Sequence, residues 1–143
     1  MSINLLQQVQ ENLGYPPLKK TDPNEQHPQA LPSPDRAALA QSVIPAVLAG
    51  MYNLVKSEAG AELIKKETAM PDWPAILYGE KSTELMNRIA SLTSLDSLTA
   101  ETTFNEVANE ASRLIREEVK NDDNNLAIQQ LVESQRNNIL PYL

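Results

Sequence analysis

The sequence contains no cysteine, a single histidine and only four glycines. Without cysteine the chain cannot form a disulfide, offer a thiol nucleophile or bind an iron-sulfur cluster or a cysteine-ligated zinc. None of the glycines lies in a glycine-rich turn, which argues against the phosphate-binding loops of nucleotide-binding proteins. We therefore expect no cofactor and no metal.

The few residues that could carry acid–base chemistry are poorly placed for it. His27 has no second histidine and no carboxylate at helical spacing, so we interpret it as a solvated loop residue. Glu106 and Glu110 lack the Glu-x-x-His partner of a helical metal site and are expected on a solvated face. We predict that the chain is not an enzyme.

The acidic stretch near the carboxyl terminus resembles a calcium-binding loop only in part. Asp122, Asn124 and Glu133 would occupy the first, third and twelfth positions of an EF-hand loop. The fifth position is Leu126 instead of an oxygen ligand, and the sixth is Ala127 instead of glycine. Calcium binding is therefore not predicted.

Basic residues are scarce relative to acidic ones, with 12 against 19 and a net charge of −7 in 143 residues. This charge repels phosphate backbones, so nucleic acid is an unexpected partner. The amino terminus has neither a basic start nor a continuous apolar stretch, so it does not resemble a secretory signal. We expect a cytoplasmic protein.

No segment alternates as a strand, and the apolar spacing predicts an all-α fold. The prediction is a compact array of six or seven short helices, with an amino-terminal helix on a proline-rich connector. Its segments are an amphipathic helix over 1–14, a linker or strap over 15–32 and a helical domain over 33–143. Six of the ten prolines lie between Tyr15 and Pro34, where the chain forms either an ordered strap or a mobile arm.

The amino-terminal helix is expected to begin at a Ser2 cap and to end at Gly14. Its apolar face consists of Leu5, Leu6, Val9 and Leu13. An isolated helix this short is only marginally stable in water, so its apolar face must pack against another apolar surface.

A run without formal charge extends from Ala37 to Val55. Alanines and interrupting polar residues make it too weakly apolar for a membrane span, so we predict a helix enclosed at the centre of a bundle. Pro45 should bend or split it. Small residues recur every four positions and would let another backbone approach closely. They are Ser42, Ala46 and Gly50.

The remaining helices are predicted from caps and periodicity. Ser57 should cap a helix over about 58–68 with Leu63 and Ile64 inward, and Asp72 should cap a brief helix over 73–78 that Gly79 closes. Later helices should begin at Ser82 or Thr83 and at Thr99, and a last one should extend over Leu126 to Leu140. Trp73, between two prolines, is either a core residue or a partner-binding anchor.

Several stretches in the middle of the chain resemble the YidB-like family, a bacterial domain family of unknown function. They are the segments Ile44-Pro45-Ala46-Val47-Leu48-Ala49-Gly50-Met51, Ser57 with Gly60-Ala61 and Leu63, and Ile76-Leu77-Tyr78-Gly79. The resemblance implies a compact, multi-helical bacterial protein and supplies no catalytic residue, ligand or cofactor.

The function we predict is interaction or assembly with a protein partner. The face formed by Leu5, Leu6, Val9 and Leu13 would dock into an apolar groove, either on its own bundle or on a second copy. Trp73 is a further candidate for interaction. The alternative is a carrier of a small apolar ligand, with a cavity between Pro45 and either Trp73 or Tyr52. No membrane partner is expected.

Overall fold

The computed structural model describes residues 4–15, 36–65, 72–93, 96–119 and 125–140. These residues form eight α-helices and one 3-10 turn, with no strand among them, so the predicted all-α fold is confirmed. The helices are α1 (Leu5–Asn12), α2 (Arg36–Leu54), α3 (Glu58–Lys65), α4 (Trp73–Tyr78), α5 (Ser82–Thr93), α6 (Ser97–Glu118), α7 (Asn125–Glu133) and α8 (Arg136–Ile139), and the 3-10 turn is Gly79–Lys81.

Helix α2 lies at the centre of the array, as its lack of charge predicts. Helices α1, α4, α5, α6, α7 and α8 all pack against it. The chain stays α-helical through Pro45, which is buried, so the predicted split does not occur. Within the described ranges, no helix combines the length and the apolar character needed to cross a membrane.

Two of the small residues of α2, Ala46 and Gly50, lie against helix α4. A Cβ atom added at Gly50 would lie 3.1 Å from Leu77 Cβ and 3.2 Å from a ring carbon of Tyr78. The Tyr78 hydroxyl donates a hydrogen bond to the Ala46 carbonyl oxygen at 2.5 Å, and burial raises the pKa of this phenol. Glycine and alanine therefore allow the two helices to approach closely.

The predicted helix starts at Ser57, Asp72 and Ser82 are confirmed, whereas those at Ser2 and Thr99 are wrong. Ser57 Oγ accepts from the Gly60 amide, and Asp72 caps α4 as predicted. Helix α1 begins at Leu5 with Asn4 as its cap, whereas Ser2 lies outside the described residues. Helix α6 begins at Ser97, because Asp96 accepts from the Thr99 amide at 2.7 Å and starts the helix two residues before the predicted position.

The predicted last helix is divided into α7 and α8 by a turn at Ser134–Gln135, which accounts for the eighth helix. The division buries the Gln135 side chain, which has only 1% of its surface exposed. The predicted inward orientation of Leu63 is also wrong. Ile64 is buried, but Leu63 is 43% exposed, because α3 buries only the face that includes Ala61 and Ile64.

Polar side chains of the carboxyl-terminal half bind backbone groups at the ends of earlier helices. Asn105 Oδ1 accepts from the Trp73 amide at 3.0 Å, at the start of α4. Arg116 donates to the Ile64 carbonyl near the end of α3, and Gln129 donates to the Val55 carbonyl just after α2. The ends of a helix carry backbone groups that have no partner within the helix. These side-chain contacts satisfy such groups and connect the helices in addition to the apolar packing.

Candidate protein-interaction site

The predicted apolar face of α1 is buried in a groove of the same chain, formed mainly by α2, α6 and α8. Leu5, Leu6 and Val9 are buried, and Leu13 is partly buried against the same core. Burial of each aliphatic side chain contributes about 1.5–3 kcal/mol. The remaining positions of α1 carry glutamine, asparagine and glutamate and point largely to solvent. The groove therefore holds α1 by one face.

The first turn of α1 is capped from two sides. Asn4 Oδ1 accepts from the Gln7 amide at 3.2 Å, and Gln135 Oε1 accepts from the Leu5 amide at 2.8 Å. Gln135 is 130 positions away in sequence, at the turn between α7 and α8. A contact between residues so distant in sequence leaves no periodic signal, and sequence reasoning missed it.

Gln135 is held in one orientation by its neighbours. Its Oε1 also accepts from Asn138 Nδ2 at 3.2 Å, and its Nε2 donates to Ser134 Oγ at 3.2 Å. The carbonyl end of the amide therefore faces α1, where it meets the backbone N–H of Leu5.

The other end of α1 contacts α6 through a second polar group. Asn12 Nδ2 donates to Glu110 Oε2 at 2.8 Å. Arg113 binds the same carboxylate with two nitrogens, at 2.9 Å from Nε and 2.6 Å from Nη2. These interactions lower the pKa of Glu110, chiefly through the hydrogen bond from Arg113, which also attracts the carboxylate electrostatically.

Glu110 therefore differs from the prediction of a solvated face. Its side chain retains only 14% of its exposure, while Glu106, one turn earlier, is exposed as predicted. The difference arises because α1 covers α6 near Glu110. Glu110 also forms an ion pair with Arg113 within α6.

The chain turns away from α1 at Gly14, the predicted stop, whose φ is +74°. That conformation suits glycine because it lacks a Cβ atom. Tyr15, the first residue of the predicted linker, is buried with the core, and its carbonyl accepts from the Gln10 side chain. The rest of the predicted linker, including His27, lies outside the described residues. The same holds for Asp122 and Asn124 of the stretch that partly resembles an EF-hand loop.

Trp73 occupies the interior, which agrees with the core interpretation of this residue. It is buried, and its indole Nε1 donates to Asn109 Oδ1 at 2.7 Å. It lies at the start of α4, a helix that packs mainly against α2, α5 and α6. The candidate interaction residues thus do not form one surface.

Two shallow grooves lie elsewhere, along α4, α5 and the start of α6. The larger, of about 250 Å³, is lined by Tyr78, Lys81, Glu84, Leu85 and Arg88. The smaller, of about 170 Å³, is lined by Asp72, Pro74, Ser82, Thr83, Met86, Asn87, Ser97 and Glu101. Neither includes Pro45, Trp73 or Tyr52, the residues of the predicted ligand cavity.

Among the described residues, no group of three or more histidine, aspartate and glutamate side chains could hold a metal ion. The groove around α1 has an apolar centre and one polar contact at each end of the helix. The chain was compared with known protein families, with curated proteins and with solved structures, and no match was found in any of the three.

Proposed function

We propose that the chain is a non-enzymatic protein-interaction or assembly module that works by the helix-in-groove mode, with α1 of a second copy as the helix bound in trans. The groove is formed by α2, α6 and α8 and holds the chain's own α1 in the structure. The YidB-like resemblance and a cytoplasmic location stay predictions that accompany this proposal, and neither carries it.

The observation that carries the proposal is the docking of α1 by one apolar face and two polar ends. Leu5, Leu6 and Val9 supply the apolar contact, and the polar contacts are made by Gln135 and Glu110. Twenty-three residues of sequence, 13–35, separate the end of α1 at Asn12 from the start of α2 at Arg36. An α1 from a second copy can make the same contacts, so exchange costs little packing energy.

Concentration decides between the two arrangements. If flexible, a linker of this length would give the chain's own α1 an effective concentration on the order of millimolar. We therefore expect the intramolecular arrangement at micromolar protein and increasing exchange as the protein concentration approaches that range. Exchanged pairs would be dimers, and open chains of exchange would form larger assemblies.

The absence of cysteine makes a direct experiment possible. One batch of the full chain carries Asn12→Cys, and a second, isotopically labelled batch carries Glu110→Cys. After mixing and treatment with a short bismaleimide, a covalent dimer containing one chain of each batch forms where α1 of one copy lies in the groove of the other. We expect the yield of mixed dimer, measured by mass spectrometry, to rise with protein concentration.

Matched controls separate exchange from collision. Glu101→Cys places the thiol at an exposed position of the same helix, about 13.5 Å along its axis from Glu110 and out of reach of the cross-linker. Leu6→Asp with Val9→Asp in the Asn12→Cys chain removes the apolar face. Both controls should give only a background yield of mixed dimer. A yield with Glu110→Cys no higher than with Glu101→Cys at every concentration would contradict the proposal.

A further inference from the structure

We infer that Gln135 and Glu110 determine the direction and the register of the helix that the groove accepts. The inference rests on the proposed function and specifies its partner. The bound helix begins at the Gln135 end and carries a side-chain hydrogen-bond donor seven positions after its first buried residue, as Asn12 follows Leu5.

The apolar contact alone cannot select a direction. Three aliphatic side chains on one face can be buried by a helix of either polarity, because hydrophobic contact is not directional. Selection must therefore come from groups that one orientation satisfies and the other leaves unpaired. The two polar contacts at the ends of α1 are such groups.

Gln135 distinguishes the two ends of a helix. Its Nε2 is engaged by Ser134 and its Oε1 is oriented by Asn138, so the surface facing the groove is an acceptor. The first turn of a helix presents free N–H donors, whereas the last turn presents carbonyl acceptors. A reversed helix would place acceptor against acceptor at a site that is 1% exposed and cannot be hydrated.

Glu110 adds the register. Its carboxylate is held by Arg113 and accepts from Asn12, so it requires a donor at that position. Seven residues span about 10.5 Å along a helix, and a shift of one residue rotates each side chain by about 100°. A helix displaced by one position would therefore lose the Glu110 contact and turn its aliphatic side chains out of the groove.

The test uses a peptide of residues 1–15, labelled at its carboxyl end, and fluorescence anisotropy. The receptor is the full chain with Leu6→Asp and Val9→Asp, whose own α1 no longer competes. A second peptide carries an N-methyl group on the Leu5 nitrogen, which removes the donor and keeps the side chain. We expect this peptide to bind about tenfold to a hundredfold more weakly than the first.

Repeating both titrations on a receptor that also carries Gln135→Met isolates the contact. There the two peptides should bind alike, because the acceptor is gone. An equal loss on both receptors would show that the N-methyl group acts on the peptide alone and would overturn the inference. On the receptor that keeps Glu110, a peptide with Asn12→Ala should bind more weakly than the unmodified peptide. On a receptor that also carries Glu110→Ala, the two peptides should bind alike.

The failure of the inference is distinguishable from the failure of the proposed function. If the unmodified peptide binds neither receptor, helix binding in trans is excluded and the proposed function fails with it. If all peptides bind equally, only the assignment of Gln135 and Glu110 fails. If the receptor with two aspartates does not fold, the unsubstituted chain replaces it, since its own α1 weakens all peptides by the same factor and leaves their ratios intact.

Discussion

Helices α1 and α2 both bury leucine side chains completely, yet they differ in what surrounds them. Leu5 in α1 and Leu48 in α2 are each 1% exposed. Six helices pack against α2, whereas α1 lies mainly against α2, α6 and α8 and is polar on its outer side. Equal burial therefore does not imply an equal role. We therefore expect α1 to be able to leave its groove while the remaining helices stay packed, which α2 could not do.

The largest effect is expected at the centre of the array. Leu48→Ala should lower the free energy of unfolding by about 2–5 kcal/mol, because it leaves a cavity that six surrounding helices cannot close. Urea unfolding followed by the fluorescence of Trp73, the one tryptophan, measures the change. A loss below about 1 kcal/mol would show that α2 is not tightly enclosed.

A backbone collision tests the end of α2. A Cβ atom at Gly60 would lie 1.9 Å from the Leu54 carbonyl oxygen, so Gly60→Ala forces α3 away from α2 and should cost about 3 kcal/mol or more. Gly14→Ala at the end of α1 is the control. Nothing lies within 4 Å of its Cβ position, and only its φ of +74° is strained, at about 1–2 kcal/mol. Equal losses from the two substitutions would contradict this difference.

The same substitution in α1 sharpens the comparison. Leu5→Ala removes as much side chain as Leu48→Ala from an equally buried site. The global loss should nevertheless be smaller, because it is limited to the free energy that docks α1. Hydrogen exchange should show faster exchange of the α1 amides with α2 protection unchanged. A shift of the Trp73 unfolding midpoint equal to that of Leu48→Ala would refute the independence of α1.

The smallest effect concerns pH. The pKa of Glu110 is lowered in the folded chain by Arg113 and Asn12, so its contribution to stability is present above the unfolded pKa of about 4.3 and is lost as the pH falls through the folded value. At pH 7, Glu110→Gln should lower the free energy of unfolding by less than about 1 kcal/mol. The melting temperature should therefore decrease slightly. The difference between the two chains should shrink as the pH falls and should vanish once the Glu110 carboxylate is protonated in the folded chain. A difference that persists after this protonation would exclude the carboxylate charge as its source.

Much of the fold follows from local patterns. The uncharged run correctly predicts the buried centre, and the caps at Ser57 and Asp72 and the stops at Gly14 and Gly79 lie where the structure has them. The errors also have local causes. Asp96 and Asn4 compete with nearby cap residues, and short amphipathic helices permit more than one inward face, as the exposure of Leu63 shows.

The sequence predicts the apolar part of the candidate site but not its polar contacts. Spacing alone identifies the apolar face of α1, since one helical period places Leu5, Leu6 and Val9 together. It does not identify Gln135 or the role of Glu110, because glutamine and glutamate are ordinary surface residues in any helical pattern.

The helical secondary structure, the burial of α2 and the apolar face of α1 all depend on residues within a few turns of one another. The local sequence therefore suffices to specify them. The position of α1 depends on hydrogen bonds across 130 and 98 residues of sequence, to Gln135 and Glu110. Such contacts exist only once the other helices have packed, because packing alone removes water from Gln135 and brings its acceptor to the free amide of Leu5.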